Sequence, residues 1–141
     1  MNILKALTGR RITGNIGEEA AAKFLRRTGY KILERNYIMP EGEIDIICYK
    51  DKTFAFVEVK TRTEGKSHGF EPRPAASVTP EKQQKIIKAA AYYRTGVRRE
   101  GRMRFDVIEV ILDSGGSPTK INHLINTFDK NTAYAGAYRG K

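Results

Sequence analysis

The two apolar runs of GEIDIICYKDKTFAFVEVK, residues 42–60, carry four charged residues outside the central turn: Glu43, Asp45, Glu58 and Lys60. Ionised groups are costly to bury unless they are paired or put to use. Residues 43–49 and 54–60 are rich in Ile, Val, Phe and Tyr and read as two strands of a hairpin. The turn is Lys50-Asp51-Lys52-Thr53, with a loop of two residues (Asp51-Lys52) or of four (50–53). Either loop sets Asp45 opposite Glu58 and Glu43 opposite Lys60. Side chains alternate with period two, so these four share one face with Ile47, Tyr49, Phe54 and Phe56. The other face, Ile44, Ile46, Cys48, Ala55, Val57 and Val59, is wholly apolar and reads as core.

Like charges directly opposed across a sheet destabilise it. Asp45 facing Glu58 therefore calls for a cation between them. Mg²⁺ prefers hard oxygen ligands, typically one or two carboxylates with water and phosphate oxygens. Lys60 would project beside Glu58, where it could orient a water or polarise a phosphate oxygen. The plain alternative is a Glu43–Lys60 cross-strand ion pair worth about 0.2–1 kcal/mol, with Asp45 and Glu58 turned to solvent. A one-residue bulge would also break this register.

The flanking elements must position these groups. Residues 15–28 carry Ile16, Ala20, Ala21, Phe24 and Leu25 at helical spacing, and Gly29 can close that helix. Glu18 falls at the edge of the apolar stripe. Glu19 falls on the opposite side, four residues before Lys23, as a solvent-face ion pair. The ordinary role of Glu18 is to complement the helix dipole from the first turn. Residues 30–37 read as a first strand. Residues 61–79 hold two glycines and two prolines without periodicity, a long loop placed to act as a flap over a groove. Thr79-Pro80 opens a second helix, with an N-cap hydroxyl and then proline at the first helical position. It runs to about Thr95, ahead of Gly96. Residues 104–112 are nearly continuously apolar and read as a buried strand. GGSP at 115–118 is a turn, and residues 120–128 suggest a short edge element. Helix, three strands, helix, strand make an α/β sandwich: a mixed central sheet flanked by helices.

A chain of 141 residues fits one domain with a real core. Its formal net charge of +10 points to a polyanionic partner, nucleic acid before membrane surface. Five arginines fall in the eleven residues from Arg94 to Arg104, and arginine suits bidentate phosphate recognition. The single cysteine, Cys48, rules out a disulfide within the chain, which suits a reducing cytoplasm; it reads as a small buried hydrophobe. His68 and His123 lack metal-ligand spacing and receive no role. The first residues carry an apolar run too short for a signal sequence, and no stretch is long enough to span a membrane.

Asp45 followed by Glu58-Val59-Lys60 resembles the D…(D/E)-x-K signature of restriction-endonuclease-like, PD-(D/E)xK nucleases. The fuller pattern GNIGEEAAAKFL…GYKILERNY…GEIDII…FAFVEVKTR…VTPEKQQKI…RFDVIEV resembles the YraN-like family of small bacterial proteins, related in fold to archaeal-type Holliday junction resolvases. The likeness covers residues 14–128 as a single nuclease-like domain. It leaves 1–13 as a flexible basic N-terminus, 61–79 as a flexible loop and 129–141 as a flexible tail. It implies a restriction-endonuclease-like α-β-β-β-α-β sandwich and a metal-dependent nuclease hydrolysing DNA phosphodiesters, branched DNA among its substrates. Asp45 and Glu58 would hold Mg²⁺ or Mn²⁺, Glu18 would complete the set, and Lys60 would position water or steady developing charge. Glu43 would stand behind Lys60, and Gln83 or Gln84 would approach from the second helix. Arg62, Lys82, Lys85, Arg98, Arg99 and Arg102 would line the nucleic acid. A resolvase would act as a homodimer. Ile44 stands where the signature often has proline. Two alternatives stay open: a nucleic-acid-binding protein of this fold without significant cutting, and a basic adaptor for protein partners.

Overall fold

The computed structural model describes residues 2–65 and 78–134, with side chains from Asn15 onward. The order is α1 (Asn2–Arg27), β1 (Lys31–Met39), β2 (Gly42–Lys50), β3 (Thr53–Thr63), α2 (Pro80–Thr95), β4 (Arg102–Leu112), β5 (Pro118–Phe128) and α3 (Lys130–Ala133). The five strands form one mixed sheet in the order β1-β2-β3-β4-β5. Only β3 and β4 are parallel, joined through α2; the other neighbours are antiparallel. This is the expected sandwich, with β5 as a full-length edge strand rather than a short element.

The helices begin and end for local reasons. In α2 the Thr79 side chain accepts the Lys82 N–H at 3.2 Å, Pro80 fills the first turn, and Gly96 caps the end. Helix α1 closes at Gly29, whose φ of 98° few other residues tolerate. It extends back to Asn2 instead of starting at residue 15, so the backbone of the expected flexible N-terminus is helical. At the other end, α3 occupies the start of the expected flexible tail. Asp129 caps it by accepting the Thr132 N–H, and Thr132 Oγ1 accepts the Asp129 N–H in return. Residues 135–141 and most of the expected 61–79 loop, including His68, lie outside the described residues.

The hairpin uses the two-residue loop. Asp51 and Lys52 have φ of 51° and 55°, the left-handed pair of a type I′ turn, whose twist matches that of the strands. The ladder Lys50↔Thr53 to Ile46↔Val57 has the expected register and then stops. Both sheet faces are buried. Ala21, Ala22 and Leu25 of α1 cover Ile46, Cys48, Ala55, Val57, Ile108 and Val110. Ile86, Ile87, Ala89 and Ala90 of α2 cover Ile47, Phe54 and Phe56, beside stacked Phe105 and Phe128. Ile44 joins the α2 side, not the Ile46 side to which simple alternation assigns it. The alternation therefore slips at Asp45, where β2 parts from β3. Burial pushes the Cys48 thiol up to about 12, as befits an inert core residue.

A candidate active site at the open end of the hairpin

The slip at Asp45 has a local cause. Asp45 Oδ2 accepts the Val59 backbone N–H at 2.8 Å, so a side chain does what a β2 carbonyl would do in a continued ladder. This brings the Asp45 carboxyl close enough to that of Glu58 for the Glu58 charge to act on it. Burial, reinforced by the Glu58 charge, pushes the Asp45 carboxyl up to about 8, and the Val59 N–H opposes the shift. The pair thus holds a proton where two free carboxylates would be ionised.

Glu58 is 5 % exposed. Its Oε2 receives no regular hydrogen bond; its neighbours are ammonium groups, Lys82 from the first turn of α2 and Lys60 at 3.6 Å. Burial by itself would lower the Lys82 pKa, but Glu58, with Asp45 and Glu43 behind it, outweighs burial and raises it. The topology explains this meeting. In a β-α-β crossover the helix starts beyond the C-terminal end of the first strand and runs back, so the first turn of α2 lies near Glu58 and Lys60.

Glu18 approaches from α1 and is half-buried, whereas Glu19 is exposed and pairs with Arg35 of β1 at 2.8 Å instead of with Lys23. Burial raises the Glu18 carboxyl. The Arg35 charge and a hydrogen bond from Asn36 oppose this, while Glu43 and Glu58 add to it. Asn36 stands at a left-handed φ of 52° in β1. The close approach of α1 depends on Gly17: a Cβ there would lie 1.9 Å from Thr61 Oγ1. Glu18 senses the pair electrostatically, yet among the described residues no three His, Cys, Asp or Glu side chains converge to hold a metal ion.

The remaining candidates divide. Glu43 is exposed, and Lys60 pairs along its own strand with Glu58, not across to Glu43. Gln83 and Gln84 do not turn to the carboxylates. Gln83 Nε2 donates to the Val78 carbonyl at 2.9 Å, and Gln84 Nε2 donates to the Ala133 carbonyl at 2.8 Å, tying α2 to its surroundings. Arg62 is half-buried and its Nε lies 3.1 Å from Glu109 Oε2. Lys85 is exposed and lines a notch with Gly42, Glu43, Thr79 and Lys82.

The arginine cluster does not form a single face. Arg94 lies over the Phe54 ring, and Arg104 grips Asp106 at 2.8 Å and the Tyr30 hydroxyl at 2.6 Å. Arg99 lies over Tyr49, and Arg98 and Arg102 are exposed. Arg102 pairs with Thr53 at the turn end of β3, five residues before Glu58. At about 3.3 Å per residue that is ~17 Å from the carboxylates.

Sequence reading missed a second buried acid. Asp106 accepts from Arg104, from the Asn126 N–H at 2.9 Å and, through a further contact at 2.8 Å, meets His123 Nε2. It sits where the β4–β5 register shifts, and Asn126 takes a φ of 57°. An acid inside RFDVIEVIL was the available signal.

The fold and this site define a class: an α/β sandwich with a five-stranded mixed sheet flanked by helices, and neighbouring carboxyls and lysines at an opened hairpin. The chain belongs to the uncharacterised protein family UPF0102, the YraN-like family of its motifs; the family profile matches residues 17–110. A UPF0102 protein of Syntrophomonas wolfei is 44% identical over 113 residues, 79% of this chain and 93% of that one. Another, of Desulfosudis oleivorans, is 43% identical over 128 residues, 90% of this chain and 98% of its own. Among the described residues no helix is long and apolar enough to cross a membrane.

Proposed function

We propose that this chain is a metal-dependent nuclease that hydrolyses DNA phosphodiesters, with branched DNA among its substrates. The observation that carries the reading is the contact between the Asp45 and Glu58 carboxyls beside Lys60 and Lys82. Two hard oxygen donors side by side, one of them held protonated by burial and by its acidic neighbour, fit a divalent cation of the Mg²⁺ or Mn²⁺ kind. Asp45 and Glu58 would hold it. Glu18 is the outer acid, because Mg²⁺ commonly uses one or two carboxylates and fills its other positions with water and phosphate oxygens. When bound, the metal supplies charge neutralisation at the phosphate and activation of water.

The side chains of this protein do the rest. Asp45 gives up its proton as the pair becomes fully ionised. Lys60 directs its ammonium toward the scissile phosphate and steadies charge that develops there. The notch of Lys82 and Lys85 takes the neighbouring backbone phosphate. Such contacts are sequence-independent, so selection falls on DNA shape.

Cleavage of branched, single-stranded and duplex DNA across Mg²⁺, Mn²⁺ and Ca²⁺ tests this. Asp45→Asn and Glu58→Gln are each expected to abolish metal-dependent cleavage and to leave binding in EDTA unchanged or tighter. Equal residual cutting by wild type and variants marks a contaminant and sinks the enzyme reading. The second reading, a nucleic-acid-binding module that does not cut, draws on the lack of a ready three-ligand cluster among the described residues. It predicts DNA binding indifferent to metal and no cleavage under any condition.

A further inference from the structure

Resting on the nuclease reading and deepening it, we propose that Lys82 is a positioning residue with two alternating partners. It neutralises Glu58 in the cation-free protein and passes to a nucleic-acid phosphate when a divalent cation takes the Asp45–Glu58 pair. Glu58 Oε2 is buried without a regular hydrogen bond, and the group against it is the Lys82 ammonium. An ammonium thus fills the place of a cation.

The two partners differ in freedom. The Glu58 side chain is 4 % exposed, and that of Lys82 is 43 % exposed. When a competitor for Oε2 arrives, Lys82 is the group that can leave. It has somewhere to go. The notch of about 340 Å³ beside it is lined by Gly42, Glu43, Thr79, Glu81, Lys85 and Ile86, and the absence of a Gly42 side chain lets Lys85 pack close against that residue. With Lys82 swung outward, its ammonium and that of Lys85 would face one phosphate and offset the Glu43 and Glu81 carboxylates at the rim. Nor does α2 need the ion pair to dock, because Ile86, Ile87, Ala89 and Ala90 already bury its inner side. A permanent structural bridge is therefore the weaker explanation.

Mn²⁺ binding followed by the loss of its free electron-paramagnetic-resonance signal separates the possibilities. Lys82→Gln removes the competitor, so the variant is expected to bind Mn²⁺ about tenfold tighter than wild type. Lys82→Arg keeps a charge on Glu58 and is expected to bind Mn²⁺ no tighter than wild type; it also serves if Lys82→Gln folds poorly. In Ca²⁺, the salt slope of duplex-DNA binding by wild type is expected to steepen by about 0.9 relative to EDTA, the increment of one further neutralised phosphate. That increment should vanish in Lys82→Gln. Wild type that binds Mn²⁺, with Lys82→Gln binding it equally or more weakly, overturns the exchange and leaves the metal site standing. Equal slope increments in the two proteins do the same. Folded wild type that binds no Mn²⁺ overturns both readings.

Discussion

The Asp45 carboxylate accepts the Val59 backbone N–H at 2.8 Å, at the first position where β2 and β3 cease to pair. One acid therefore serves two purposes. It closes the end of the ladder, and it is carried against Glu58, where a continued ladder would have set it on a flat pleated face.

These purposes separate by mutation in metal-free buffer. Asp45→Asn keeps the acceptor for Val59 and removes the ionisation. The native carboxyl is raised from 3.8 to about 8. Between those values the unfolded chain loses its proton and the native state keeps it, so wild-type stability falls as pH rises through that window. Asp45→Asn does not carry this penalty. In EDTA its melting temperature should match wild type near pH 4 and exceed it by at least ~3 °C at pH 8. Asp45→Ala orphans the Val59 N–H and should lose about 1–3 kcal/mol at either pH. A gap between Asp45→Asn and wild type that does not grow with pH would show that the two carboxyls do not share a proton.

Lys60 stands 3.6 Å from Glu58 and is partly exposed toward the open end. Lys60→Met should lower the cleavage rate about 10²-fold or more, the scale on which removal of one charge-stabilising group is felt. Binding of uncleaved DNA should change by less than about threefold, since surface ion pairs are individually weak. Single-turnover kinetics compared with a binding titration would decide. Equal losses in both would reduce Lys60 to an ordinary phosphate contact.

Arg99 lies over Tyr49 at the turn end of the hairpin, where Thr53 stands ~17 Å from the carboxylates along β3, and Arg98 is its neighbour in the chain. Alanine at both should shallow the salt slope by about 0.9 for each phosphate that the pair neutralises on duplex DNA. The effect should vanish on duplexes ending within about 5 bp of the cut, which are too short to reach the cluster at 3.4 Å per base pair. A slope unchanged on long duplexes would place these arginines off the path of the DNA.

Asp106 is fully buried among Arg104, His123 and the Asn126 N–H. Burial would raise its carboxyl, but the hydrogen bonds from His123, Arg104 and Asn126 prevail and hold it below the ordinary 3.8. Its contribution is therefore present above that ordinary value and is lost as pH falls through the lower native one. Asp106→Asn should flatten the acid limb of the stability curve below about pH 4. Asp106→Ala should cost about 3–5 kcal/mol, because Arg104 loses its buried partner. Chemical denaturation across pH 3–7 is the check, and an alanine variant as stable as wild type would contradict the network.

Gly17 lets α1 lie directly on Thr61, one residue past Lys60. Gly17→Ala should cost about 1–3 kcal/mol through overpacking and carry Glu18 away from the pair. Adding Thr61→Ala should recover part of that loss in a double-mutant cycle. Strictly additive losses would mean that α1 yields elsewhere.

Much of this protein was legible in one dimension. Strand and helix types, the N-cap at Thr79, the stop at Gly96 and the hairpin register from Lys50↔Thr53 to Ile46↔Val57 follow from local rules: period-two and period-3.6 patterning and turn chemistry. Those rules act between residues adjacent in the chain or paired across one short turn. They also account for what went astray. Alternation alone puts Ile44 beside Ile46, but an acid at an unzipping ladder end shifts the phase. Arg94, Arg98, Arg99, Arg102 and Arg104 form one basic run in the chain; Phe54 and Tyr49 from other strands, and Asp106 further along β4, disperse it.

The family resemblance turned Gln83 and Gln84 toward the carboxylates, whereas the helix rotation that buries Ile86 and Ala90 presents Lys82 instead. The sequence by itself determined the elements and the hairpin pairing next to the turn, because each rests on neighbours within a few residues or one turn. Only the tertiary structure decided that Lys82 occupies Glu58, that Glu18 stands off from the pair, and that Asp106 is bound by groups from β4 and β5. Those relations depend on how separately specified elements stack, and close packing sets that jointly for the whole core.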